Sequence, residues 1–126
     1  MRIQELTERT GETARTVRFL IAEGVMPPPT GGRAMAEYGE AHLAAIRRYQ
    51  CLRAAGYKIS AIRLLIERGE AVSLAVAPGI ALLLDPSVAG TALDAEAIGR
   101  QVAHALTRFL APAVPKETQD DDAARD

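Results

Sequence analysis

Tryptophan is absent from this 126-residue sequence, and only two Phe and three Tyr stand among its apolar residues. A core must therefore be aliphatic, built from Leu, Ile, Val and Ala, and such compositions favour helices. The single cysteine, Cys51, cannot close an intramolecular disulfide, and metal sites made of cysteine pairs or clusters are equally excluded. A reducing compartment is the natural expectation. The longest stretch without a charge, Ala71 to Leu84, is too short to span a bilayer and is broken by Pro78 and Gly79. Met1-Arg2-Ile3-Gln4-Glu5 offers no apolar signal region, so the chain reads as a soluble cytoplasmic protein with no membrane partner. Also missing are a Ser/His/Asp order, a phosphate-cradling glycine loop and a close carboxylate pair backed by histidine, so no enzyme is expected. His42 and His104 have no acidic or cysteine partner at ligand spacing; they read as surface or rim residues, with no metal or cofactor expected.

What the sequence does have is the balance of an ordinary folded domain, with 48% apolar and 25% charged residues. Its length suffices for one compact domain and a short appendage. The net charge of −1 conceals an asymmetry. Residues 1–68 carry eleven Lys or Arg against seven Glu, a net of +4, whereas residues 69–126 carry four basic against nine acidic groups, a net of −5. Such a difference becomes informative if the basic groups converge.

Ile3 to Thr10 reads as a short helix with Ile3 and Leu6 inward, followed by a turn at Gly11. A second helix begins at an N-cap, Thr13, and stops before Gly24, with Ala14, Val17, Leu20 and Ile21 on one apolar face. The opposite face holds Arg15, Phe19 and Ala22, flanked by Arg18 and Thr16. Two short helices about a glycine turn, the second displaying Arg, Thr and an aromatic outward, match a helix-turn-helix. Pro27-Pro28-Pro29 forces extended chain. Residues 25–38 then read as a small hairpin, or wing, with Arg33 near its tip and a return strand over Ala34 to Tyr38. Helical spacing resumes from Glu40 to Ala55, where Leu43, Ile46, Tyr49 and Leu52 point inward and Arg47, Arg48 and Arg53 line the sides. Cys51 reads there as a small packed residue rather than a sensor thiol. A shorter helix over Ile59 to Arg68 buries Ile59, Ile62, Leu65 and Ile66. Residues 69–79 read as a connection, Ile80 to Leu84 as a short strand, and Asp94 as the cap of a helix to about Leu110. That last helix carries a stripe of Ile98, Val102, Ala105, Leu106 and Phe109, and residues beyond Pro112 form an acidic tail.

Residues 2–68 resemble the winged helix-turn-helix of the MerR family of bacterial transcription regulators. The resemblance is carried in order by Ile3-Gln4-Glu5-Leu6 with Thr10-Gly11, by Arg15-Thr16-Val17-Arg18-Phe19, and by Gly24-Val25-Met26-Pro27-Pro28-Pro29. Tyr38 with Leu43 and Ile46 follows, then Gly56-Tyr57-Lys58-Ile59 with Ile62 and Leu65. The fold it implies over 1–68 is a winged helix-turn-helix; with the short strand and C-terminal helix read above in a dimerisation or effector segment over 69–111, and a disordered tail over 112–126, the chain is expected to be mainly α. The activity it implies is sequence-specific binding of a pseudo-palindromic promoter operator by a homodimer, with double-stranded DNA as partner and RNA polymerase as a further one. Its DNA contacts would be Thr13, Arg15, Thr16, Arg18, Phe19, Arg33 and Tyr38, with Arg47, Arg48 and Lys58 weaker candidates.

Two positions depart from the family pattern: Leu20 stands where many members have a second aromatic, and Ala36 where many have an arginine. Gly69, Pro78 and Gly79 also interrupt the chain where family members continue into one long dimerising helix. The dimer contact is therefore assigned to residues 80–110, with Leu82, Leu84, Ile98, Val102, Leu106 and Phe109 as contact residues. The alternative is an accessory or adaptor protein that uses the same winged helix without controlling transcription directly. Sequence leaves open the operator, activation against repression, and whether the C-terminal segment also holds an effector.

Overall fold

The structure is a computed structural model that describes residues 1–111, so the tail expected over residues 112–126 lies outside the described residues. Its elements in chain order are α1 (Ile3–Thr10), α2 (Ala14–Ala22), α3 (Glu40–Ala54), α4 (Ile59–Arg68), β1 (Val72–Ala77), β2 (Ile80–Leu84) and α5 (Ala95–Leu110). Short 3-10 turns occupy Arg33–Met35 and Pro86–Val88. The chain divides into two compact units, Met1–Ala92 and the segment from Leu93 onward.

The first unit is organised by aliphatic stripes. Leu6 of α1, Val17 and Leu20 of α2, Leu43 and Ile46 of α3 and Ile62 of α4 are essentially sealed from solvent. Each such side chain contributes about 1.5–3 kcal/mol by burial. Local signals set the helix ends. Thr13 Oγ1 accepts the Thr16 N–H at 3.1 Å and starts α2. At its other end Gly24, at φ +79°, lets the Gly24 N–H reach Ile21 O and the Val25 N–H reach Leu20 O. That paired closure places Val25 in the core beside Leu20 and directs the chain into the prolines.

Three expectations are corrected here. The wing's return strand does not form: Thr30 and Glu37 make a single bridge pair, and Ala34 and Met35 instead belong to a 3-10 turn closed by the Met35 N–H on Gly32 O. Prolines 27–29 have no N–H with which to lengthen the ladder, and Gly31 adopts φ +83° to turn beneath Met35. Residues 72–77, expected as part of a connection, form β1, paired antiparallel with β2 from Val72↔Leu84 to Ala77↔Ile80. Pro78-Gly79 supplies the two-residue turn, with Gly79 at φ +80°, and a register shift between Ala75 and Ala77 absorbs its mismatch with strand twist. His42 is buried (7% exposed) rather than on a rim. Its Nδ1 accepts the Gly39 N–H at 2.9 Å and its Nε2 faces Pro28 O at 3.0 Å, which requires the tautomer that donates from Nε2. His42 thereby caps α3 and ties it to the extended proline segment.

The hairpin belongs to the first unit. Val72 joins its core, Leu84 packs against it, and the Tyr57 hydroxyl donates to Ser73 O. Pro86 is buried, and Gly90 lies so close to the α3 backbone that a Cβ there would stand 2.7 Å from the carbonyl carbon of Arg47. The second unit contains α5, begun by Asp94 Oδ1 accepting the N–H groups of Glu96 and Ala97. None of the residues of α5 is buried, and Phe109 is 82% exposed.

Candidate nucleic-acid interface

α2 presents its polar face as its periodicity requires. Val17 and Leu20 are sealed inward, while Arg15, Arg18 and Phe19 lie outward, Phe19 being 44% exposed. Thr13 and Thr16 stand at the head of this helix with their hydroxyls 3.1 Å apart, so Thr13 serves first as the cap. The turn before it is braced from α3: Gln50 Nε2 donates to Thr10 O and to Glu12 Oε2, each at 2.8 Å.

The wing meets α2 at a cleft of about 220 Å³ lined by Arg2, Ile3, Arg18, Arg33, Ala34, Ala36 and Tyr38. Three of the eleven basic residues of the front half, Arg2, Arg18 and Arg33, thus line one cleft between α2 and the wing. Among the described residues Arg9, Arg63 and Arg68 pair with Glu5, Glu23 and Glu70, whereas Arg15, Arg18 and Arg33 make no ion pair. Guanidinium groups without an acidic partner suit a polyanion that brings its own negative charge.

Tyr38 is a mixed case. It is 6% exposed and packs edge-on against His42, so it belongs to the core; yet it lines the cleft, and its hydroxyl makes no hydrogen bond among the described residues. Arg47 is exposed, and Arg48 is half-buried, its Nε unpartnered beneath the surface. Arg53 is turned to the Tyr57 carbonyl. Cys51, expected to be packed, is exposed, because α3 turns that position away from the core on which Leu52 sits.

Arg2 was not legible as part of the site. It precedes the first helix and shows no periodicity, and only the fold brings it beside residues some thirty positions later. Among the described residues no three His, Cys, Asp or Glu side chains are grouped to hold a metal ion, and no helix is long and apolar enough to cross a membrane.

A family model described as the MerR HTH family regulatory protein matches residues 1–69, more than half of the chain. The chain belongs to the MerR helix-turn-helix family. No curated protein and no solved structure matches it. Membership makes this a DNA-binding regulator in general terms, on a mainly helical fold with a two-stranded sheet and a C-terminal helix. The MerR-type match ends at residue 69, just before the hairpin.

Proposed function

We propose that this protein is a sequence-specific transcription regulator that binds a two-fold promoter operator as a homodimer. The reading is carried by the convergence of Arg18 and Arg33 on one cleft, beside an α2 face that leaves Arg15, Thr16 and Phe19 for the major groove. Arg15 and Arg18 reach guanine edges or phosphates, and Phe19 contacts a sugar or thymine methyl. Arg33 and the Tyr38 hydroxyl hold the flanking backbone, which fixes register without reading sequence.

Dimerisation in this reading uses the segment after residue 69. Ile98, Val102, Leu106 and Phe109 recur along one side of α5, and Leu82 adds a half-buried aliphatic from β2. Leu84 contributes less to a partner because it already packs on the core of its own unit. RNA polymerase is the further partner of a promoter-bound regulator, and the reducing cytoplasm is its compartment.

The test is a footprint on the DNA upstream of the protein's own gene, made with the native chain and with Arg18→Ala. Protection by the native chain and its loss in the variant are expected, together with a salt slope of binding lower by about one unit. An unchanged footprint removes Arg18 from the interface.

A further inference from the structure

Arg2 stands in sequence outside both the recognition helix and the wing, yet its side chain is spent on the wing. Nη1 donates to the Ala34 carbonyl at 2.9 Å, Nη2 lies 3.8 Å from Met35 Sδ, and Nε is 3.4 Å from Glu37 Oε2. These partners run from the 3-10 turn to the returning chain. The wing needs such support, since it has one backbone bridge where a hairpin normally has several, and even a full two-stranded ribbon is marginal in water. The base of the wing is tied by the Tyr38 N–H to Met1 O at 2.7 Å, but its tip is tied by Arg2. The other end of Arg2 is anchored in the body: its backbone carbonyl accepts the Leu6 N–H at 3.1 Å as the first bond of α1.

We propose that Arg2 is a positioning residue that fixes Arg33 of the wing across the cleft from Arg18 of α2, so that the two guanidinium groups close on a single phosphodiester from two sides. The assignment rests on the DNA-binding reading above. Arg2 is held against Glu37, a carboxylate it shares with the Met1 ammonium at 3.1 Å, whereas Arg18 and Arg33 line the cleft without acidic partners among the described residues. Without Arg2 the wing tip loses its side-chain tether, and the cost of ordering Arg33 falls on the binding step.

The test measures binding of a short mixed-sequence duplex over a salt series by anisotropy, because phosphate contacts do not depend on sequence. It compares the native chain, Arg2→Ala, Arg33→Ala and the double variant, with thermal melts alongside. Arg2→Ala is expected to weaken binding about threefold or more, with almost no further loss when Arg33 is already alanine. Arg2→Lys keeps the charge without the planar fork and is expected to restore affinity only in part. Strictly additive losses, unchanged affinity in Arg2→Ala, or full restoration by lysine each overturn the assignment while leaving DNA binding intact. Absence of duplex binding by the native chain at low salt overturns the DNA reading and this assignment with it. If Arg2→Ala melts too low to assay, the lysine variant alone decides between the fork and the charge.

Discussion

Gln50 shows how one side chain sets the geometry of a distant turn. Its amide nitrogen holds both the Thr10 carbonyl and the Glu12 carboxylate, the two sides of the bend that aims α2. Gln50→Leu preserves bulk but leaves both acceptors without that donor. A loss of about 1–3 kcal/mol is expected from urea unfolding, accompanied by weaker duplex binding. Asp85 acts on a smaller scale, at the head of the Pro86–Val88 turn. The Ser87 backbone N–H, and secondarily the Ser87 side chain, holds its carboxyl below the usual carboxylate range. A carboxyl depressed by folding stabilises fully above its unfolded value, and that contribution fades as pH falls through the folded value. Asp85→Asn keeps an acceptor for Ser87 but cannot titrate. The difference in melting temperature between native chain and variant is therefore expected to shrink on acidification, by a small amount because the group is fully exposed.

The five described helices were legible because each combines apolar residues at helical spacing with a boundary residue: Gly11 after α1, Thr13 and Gly24 about α2, Gly56 after α3, Gly69 after α4, Asp94 before α5. The wing was legible as a turn but not in its form. Gly31 and Gly32 and the reach of Arg2 decide between a strand and a 3-10 turn, and the Arg2 contribution is tertiary. β1 was hidden for another reason. Ser73, Ala75 and Ala77 are too small and too weakly polar for their alternation with Val72, Leu74 and Val76 to stand out, although Pro78-Gly79 marked the bend. His42 is buried because the wing's proline segment lies against α3, which helical spacing alone does not say; Cys51 is exposed because it falls outside the Leu43, Ile46 and Leu52 stripe of its own helix. Docking of the 86–90 segment depends in turn on a missing side chain. Gly90 sits at φ +79°, and an added Cβ would come within 2.8 Å of both Arg47 Cβ and Arg48 N. Gly90→Ala meets strain and collision together, and a destabilisation of about 1–3 kcal/mol is expected by chemical denaturation. An unchanged midpoint would mean that this segment does not lie against α3.

At the scale of the whole molecule, the proposed regulator divides its work: the basic front half would supply attraction to DNA and the remainder would supply pairing. A single winged helix covers one half-site, and a two-fold operator is held firmly only when two are joined, because the second contact then forms at high effective concentration. α5 has the composition for that joining. Ile98 is 41% exposed and Phe109 82%, Val102 lies between them on the same side, and Glu96, Arg100, His104 and Arg108 occupy the other. An apolar stripe of this length is self-complementary when a second copy packs against it about a two-fold axis, so that a residue near its middle meets its own counterpart. Val102→Glu places two carboxylates together there. The variant is expected to sediment as a monomer and to lose operator affinity by about a hundredfold, with its first unit unfolding at the same denaturant concentration. Arg18→Ala should do the reverse, remaining a dimer while losing the footprint. A Val102→Glu chain that still sediments as a dimer would shift the pairing surface to the hairpin, where Leu83 and Val76 are the next large aliphatics left in contact with solvent.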